Sequence, residues 1–430
     1  MKSVSLKLFA LLALVAGVVR AELVFESNAK FAAAVVDSGY HTVGVADIKI
    51  GATRASGETQ GVVKIKLASG KSFSVNLKFA VGASADTLTA PETEVASSSG
   101  SKACRAVLAA DAVDMEFTGG ALDGYTLFGG PKPTSDPAAK EALDKVLARS
   151  KSVNVSLLSV PYGTAERPCP VVGLVQPKTV GAVSAQVRLP TGKSVICKGY
   201  VFSRWGSLLM PVVYGSSSAT VPRVGFMVEY NPATDEWGQF ENGKWSVTTK
   251  LGSSRKPVLS LTACDLVSDF WLPAAFLPSL KDGDYVFSIG LDGESVKPAS
   301  WLGLSAADAS ALHGDLLAKP VAVKAAGGVL STAGAKAAKL VSLRHPGGVT
   351  VSELRVLSDE NPGCLVLKRT MSTGLVKGSF LAYFLQKTGR ATKLVKSKFE
   401  IVMVIDGDKG TGMAYNKAYG ALPVMLQRSK

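Results

Sequence analysis

The chain has 430 residues, 47% of them hydrophobic and 19% charged, with Lys+Arg 48 against Asp+Glu 34. That length exceeds one ordinary domain of roughly 150 residues and points to two to four, and the apolar fraction excludes a disordered chain. The 43 glycines, with abundant Ser, Thr and Val, point to strands and tight turns, and long Leu/Glu/Lys helical patterns are scarce.

Residues 1–21 read as an export signal. Lys2 and Lys7 precede the apolar run from Leu8 to Val19, and Val19-Arg20-Ala21 supplies the cleavage site, with cutting after Ala21. The run is short of the ~20 residues that span a bilayer. A later apolar stretch, Asp265 to Leu280, is broken by Asp269 and two prolines, so no transmembrane span is expected after cleavage. Removing the signal leaves 45 Lys+Arg against 34 Asp+Glu, a formal charge of +11. A basic exported protein favours acidic partners, and anionic polysaccharide or another cell-surface component is the expected class. The basic residues are scattered along the chain, which is also how solvated strand faces and edges look.

The first expected β-module covers residues 22–130. Within it, VVKIKLASGKSFSVNLKF (62–79) alternates apolar and polar residues on both sides of Ser69-Gly70-Lys71, which predicts strand, Gly turn, strand. VASSSGSK reads as a loop or insertion. Residues 131–150 form a linker with one helix from Ser135 to Arg149, where Ser135 or Asp136 caps the start, Pro137 suits the first turn, and Ala142, Leu143, Val146 and Leu147 make an apolar stripe.

The second module, 151–310, repeats the first pattern. SAQVRLPTGKSVICKGYV (184–201) aligns with residues 62–79 without a gap and places Gly192 on Gly70. Gly192-Lys193-Ser194 also ends a phosphate-loop signature, but Val187 stands where its first glycine belongs and a strand follows where a helix N-terminus is needed. Nucleotide binding is therefore not expected. Asn242-Gly243 predicts a two-residue hairpin pairing Glu241 with Lys244 and Phe240 with Trp245. Asp123-Gly124, Asp282-Gly283, Asp292-Gly293 and Asp406-Gly407 are further turn candidates, and Ser305 to Leu317 a second helical patch.

The third module is expected at 311–430, where SFLAYFLQKTGRATKLVKSKFEIVMVI places Thr388-Gly389-Arg390 between strand-like runs. NPGCLVLKRTMSTGLVKGSF (361–380), followed by FEIVMVIDGDKGTGMAYNKAYGALPVML, resembles a Thr-Gly-x-x-Lys-Gly-Ser-Phe module of large exported bacterial β-proteins, mostly uncharacterised, and Gly206 to Val213 looks like a diverged copy. The resemblance implies a β-meander or small barrel per module and transfers no catalytic residues.

Candidate chemistry is sparse. His41, His313 and His345 lie in different regions without a nucleophile motif. Asp406-Gly407-Asp408-Lys409-Gly410 hints at a calcium loop, but Gly410 takes a ligand position, no Glu closes the site, and Lys409 opposes a cation. Asp235/Glu236 and Asp359/Glu360 are acid pairs that nothing places across a cleft. Neither a cofactor nor a metal is expected. Five cysteines, Cys104, Cys169, Cys197, Cys264 and Cys364, show no C-x-x-C pair. Cys169 and Cys197 are the candidate disulfide, with buried free thiols as the alternative. Aromatic residues crowd the second module, and Trp237, Trp245, Trp205 and Tyr230 are candidates for gripping a sugar ring, unless they fill a barrel core.

The expected protein is thus all-β, with two or three antiparallel meander or small-barrel modules and a short linker helix. It is expected in the periplasm, at the cell surface or outside the cell, as a non-enzymatic structural or binding protein. The alternative is a carbohydrate-binding or polysaccharide-acting protein. An outer-membrane barrel is disfavoured, because the strands seldom reach the ~9 to 11 alternating residues such a barrel uses.

Overall fold

A computed structural model of the chain describes residues 23–429 apart from 26–27, 83–85, 97–98, 150, 162–168, 219–220, 240–242, 247–263, 268–279, 291–319, 345, 347, 349, 356, 389–390 and 418–419. The fold is all-β; among the described residues it is built from three antiparallel barrel sheets, a two-stranded hairpin and one α-helix.

The first barrel runs β1 (Ala29–Val36), β2 (Thr42–Ile50), β3 (Thr59–Leu67), β4 (Ser72–Val81), β5 (Leu88–Ala90), β6 (Thr93–Glu94), β7 (Lys102–Leu108), β8 (Val113–Thr118) and β9 (Thr126–Pro131). It is a meander that closes through backbone ladders, β5 to β7 and β9 to β1. Its alternation is the expected one: Val63, Ile65 and Leu67 point into the core while Gln60, Lys64 and Lys66 face water. Apolar-in, polar-out is the reverse of a lipid-facing barrel.

Helix α1 (Pro137–Arg149) follows, with Asp136 Oδ1 accepting from the amides of Ala138 (3.0 Å) and Ala139 (3.2 Å). Its stripe of Ala139, Ala142, Leu143 and Val146 is buried in the core of the second barrel, so the predicted linker helix is part of that barrel's packing.

The second barrel comprises β10 (Val153–Pro161), β11 (Cys169–Pro177), β12 (Ala182–Arg188), β13 (Ser194–Tyr200), β14 (Phe202–Arg204), β15 (Ser207–Tyr214), β16 (Arg223–Asn231), β17 (Glu236–Gln239), β18 (Gly243–Ser246) and β19 (Cys264–Val267). It closes through β19 on β10. Here the Asn242-Gly243 hairpin expectation fails. Both β17 and β18 pair with β16 on one flank, Trp237 beside Tyr230 and Trp245 beside Val224, so they form one interrupted strand. The hairpin comes earlier, between Asn231 and Glu236, where Asp235 adopts φ 60. Strand β16, nine residues long, can take both segments end to end, and this keeps Trp237 inside the barrel.

The third barrel contains β20 (Gly283–Ile289), β21 (Val321–Ala326), β22 (Val329–Thr332), β23 (Lys339–Arg344), β24 (Thr350–Arg355), β25 (Val366–Arg369), β26 (Val376–Thr388), β27 (Ala391–Asp406), β28 (Lys409–Asn416) and β29 (Gly420–Arg428). Its first strand, β20, lies before residue 311, so the boundary between the second and third modules moves upstream of the expected position. The expected helix at Ser305–Leu317 lies outside the described residues. Strands β23 and β24 form a separate hairpin. Between β22 and β25 the described residues form no ladder. Side chains bridge that gap instead: Thr332 Oγ1 donates to the Leu365 carbonyl (2.8 Å), and buried Asn361 bonds Ala333 (3.1 Å) and both backbone groups of Leu365 (3.0 and 2.7 Å).

The two aligned turns are equivalent. Gly70 and Gly192 have φ 78 and 76, and each donates to the carbonyl three residues back, Leu67 (3.0 Å) or Leu189 (2.8 Å). Both join strands, as the repeat predicts, and each turn seats on the next barrel. A Cβ at Gly70 would lie 2.5 Å from the Ser216–Ser217 backbone, and one at Gly192 would lie 2.0 Å from the Tyr415 ring. Beside these turns, Ala32 and Ala34 of β1 pack on Phe202, Leu209 and Met227, while Val172 of β11 packs on Leu375, Val402 and Val404. The early strands of one barrel therefore meet later strands of the next at both seams, a head-to-tail array.

Candidate ligand platform at the first seam

The β14–β15 hairpin turns on two residues, Trp205 and Gly206, both left-handed with φ 51 and 79, between the paired Arg204 and Ser207. This is the primed hairpin turn, whose twist matches the strands. A tryptophan is an unusual occupant, since a β-carbon crowds the following carbonyl at a cost of about 1–2 kcal/mol. Such backbone persists where the surroundings over-determine it.

The surroundings do so here. Trp205 stacks on Phe128 of β9, with ring centroids 5.9 Å apart and planes 28° apart, and Phe128 in turn meets Phe202 edge-on at 6.4 Å. Arg204 lies 4.7 Å from the Trp205 ring centroid. Its guanidinium forks onto Asp114 with two 2.8 Å bonds and donates to the Gly129 carbonyl at 2.7 Å. Beyond Asp114 on β8, Glu116 pairs with Arg105 at 3.2 Å, and Arg105 itself has φ 47 in a bulge of β7. Despite these contacts Trp205 is 63% exposed. The arrangement is a flat, electron-rich ring held rigid at the seam between two barrels, with Phe128 stacked against it and the Arg204 guanidinium over it. An exposed indole held in this way suits the apolar face of a pyranose.

The other sugar candidates separate from it. Tyr230 and Trp237 are 4% and 7% exposed and pack together at 4.9 Å in the second barrel's core. Burial puts both out of a sugar's reach. The Trp245 backbone lies in β18, and its side chain lies outside the described residues.

The Cys169–Cys197 bridge is not formed; both thiols are free and buried. The registers explain this. Cys197 faces Ala185, which faces Val175, six residues along β11 from Cys169. That is about 20 Å along the strands, far beyond the ~7 Å between α-carbons that a disulfide tolerates.

The remaining candidates are engaged locally. His41 Nδ1 lies 2.9 Å from Asp37 Oδ1 in the β1–β2 turn, while His313 and His345 lie outside the described residues. Asp235 accepts from Arg149 at 2.5 Å and from Tyr230 at 2.9 Å; these bonds, Arg149 first, hold its carboxyl below the usual range. In Asp406-Gly407-Asp408-Lys409, a hairpin turn, Asp408 already meets Lys281 (2.9 Å) and Arg428 (3.4 Å), so lysine and arginine supply the positive charge a calcium ion would bring.

Sequence reading missed Phe128, Arg204 and Asp114. Arg204-Trp205-Gly206 between two apolar runs is a local trace of the turn, but its partners lie 75 to 91 residues away along the chain. Neither a protein-family model nor a curated protein matches the chain. Among the described residues, no helix is long and apolar enough to cross a membrane.

Proposed function

We propose that this chain is an exported, non-enzymatic binding protein whose three barrels form a scaffold for a saccharide-stacking platform at the first seam. The observation that carries the reading is Trp205, an indole 63% exposed yet fixed by Phe128 and Arg204 in a left-handed turn. Rigid aromatic faces lose little conformational freedom on binding, which is why they serve as anchors. Export follows from the reading of residues 1–21, and the resemblance of Thr373 to Phe380 to modules of exported bacterial proteins agrees with it.

Glycan-array binding by the mature chain tests this. Trp205→Ala is expected to weaken binding about tenfold, the loss of about 1.4 kcal/mol of stacking, with Trp205→Phe retaining part of it. Equal binding by wild type and Trp205→Ala would show that the Trp205–Phe128 stack serves only to join the barrels, and the platform reading would fail.

A further inference from the structure

The net positive charge of the chain after residue 21 comes from its last 120 residues. Residues 22–310 contain 27 Lys+Arg and 27 Asp+Glu, whereas residues 311–430 contain 18 and 7. From 361 to 399 there are eight Lys+Arg and no acid. Strands bring this excess onto a face. In β21, β22, β25 and β26 no residue is Asp or Glu, and Lys324, Lys368 and Lys377 are exposed on their outer side, Lys324 opposite the exposed Asp284 of β20. Lys368 and Lys377 are direct cross-strand partners, and Lys339 and Arg355 are partners in the neighbouring β23–β24 hairpin. Like charges placed opposite each other destabilise a sheet. Among the described residues, Lys368 and Lys377 have no carboxylate within ion-pair distance to relieve that repulsion. An external anionic surface would.

The same face exposes large aliphatic side chains. Val329, Val366 and Met371 are 62%, 58% and 59% exposed, and Met371 lies against the Gly328–Val329 turn, where a Cβ on Gly328 would come within 3.1 Å of its terminal methyl. Val366 and Lys368 share the outer side of β25, two residues and about 7 Å apart. A soluble polyanion would use the lysines and leave the aliphatics in water. A lipid surface with anionic headgroups uses both, pairing lysines with phosphates and taking the valines and methionine below them.

We propose that the outer face of β21–β22–β25–β26 docks the third barrel on an anionic lipid surface. This inference is independent of the Trp205 platform, which lies at the seam between the first and second barrels. The test is co-sedimentation of the full mature chain with vesicles of phosphatidylcholine alone or with roughly one-third phosphatidylglycerol, beside a soluble sulfated polysaccharide as competitor. The chain is expected to bind only the anionic vesicles. Lys368→Gln with Lys377→Gln should weaken binding about 30-fold, from roughly fivefold per lysine near such a surface, and the double Lys→Arg variant should retain it. Val329→Ser, Val366→Ser and Met371→Ser together should also weaken vesicle binding while leaving polysaccharide binding unchanged. These positions are exposed, and an unchanged thermal transition checks that the fold persists. No binding to anionic vesicles by the wild type would overturn the proposal. So would vesicle binding untouched by the serine variant and fully displaced by polysaccharide, which would make the face a site for soluble polyanions.

Discussion

The first and third barrels follow one antiparallel plan yet close differently and carry opposite charge. The first closes by ladders, β5 on β7 and β9 on β1, and residues 22–130 hold 9 Lys+Arg against 12 Asp+Glu. Cross-strand charges there include the opposite pairs Asp47–Lys64 and Glu94–Lys102 beside one like pair, Lys30–Lys49, and the third barrel has the opposite pair Asp284–Lys324. The third barrel leaves β22 and β25 unladdered among the described residues, bridges them with side chains, and opposes Lys368 to Lys377. A ladder spreads closure over many backbone bonds, so no single side chain matters much. A side-chain bridge concentrates it, and leaves a face whose composition is free to serve contacts outside the barrel.

The largest effect expected from this contrast is at Asn361. It is fully buried, bonds Ala333 across the gap, and is held on its own side by two bonds to Leu365. Asn361→Ala takes the side-chain partner from the Ala333 carbonyl and the Leu365 N–H, while the Leu365 carbonyl keeps Thr332 Oγ1, and should cost about 3 kcal/mol, since each buried orphan costs about 1–3. Chemical denaturation checks this. A loss below about 0.5 kcal/mol would show that the third barrel closes without its side-chain bridge.

The two equivalent turns sharpen the comparison in a second way. Gly70 and Gly192 share their backbone, but Gly70 abuts the backbone of Ser216–Ser217 while Gly192 abuts the Tyr415 side chain. Alanine at either position is strained by positive φ and by the clash, for about 2 kcal/mol. Tyr415→Ala should rescue part of the cost of Gly192→Ala, because it removes the atoms in the way. No side-chain truncation at Ser216 or Ser217 should rescue Gly70→Ala. Thermal unfolding of the single and double variants measures both, and equal rescue would mean that the seams are not built as described.

The fold class was legible in the sequence because period-two alternation around Gly70 and Gly192 is local: each strand declares its buried face within a few residues. The helix was legible for the same reason, through Asp136 and the stripe at Ala142, Leu143 and Val146. What failed depends on pairing partners. Asn242-Gly243 has hairpin chemistry, yet β16 had room for both flanking segments on one side. The Cys169–Cys197 bridge looked short along the chain and is long in space, because two strand steps and a six-residue offset intervene. The candidate site was half legible. Trp205 was named, but the residues that make it a platform, Phe128, Arg204 and Asp114, are brought to it only by the packing of one barrel on the next. The charge excess of the last 120 residues was present in the sequence, where each lysine looked isolated; strand register is what places Lys368 beside Lys377.

The smallest expected effect contrasts the second barrel's thiols with those of its neighbours. Cys169 and Cys197 are buried in the middle barrel, whereas Cys104 and Cys364, in the first and third, are partly exposed. Burial pushes the Cys169 and Cys197 thiols well above the ordinary range. In the unfolded chain they ionise near pH 8.5 or slightly above, so from about pH 8.5 upward the unfolded state releases protons that the folded state keeps. Their contribution to stability is complete below that pH and declines as pH rises beyond it. Denaturation midpoints should therefore fall from about pH 8.5 to 10, and Cys169→Ala with Cys197→Ala should flatten that slope whatever it does to stability at pH 7. Alkylation at pH 8 should reach Cys104 and Cys364 in the folded protein and reach Cys169 and Cys197 only after unfolding. Rapid modification of Cys169 in the native state would mean that the second barrel opens at β11 on the timescale of the reagent, and so that the middle of the array is its least stable part.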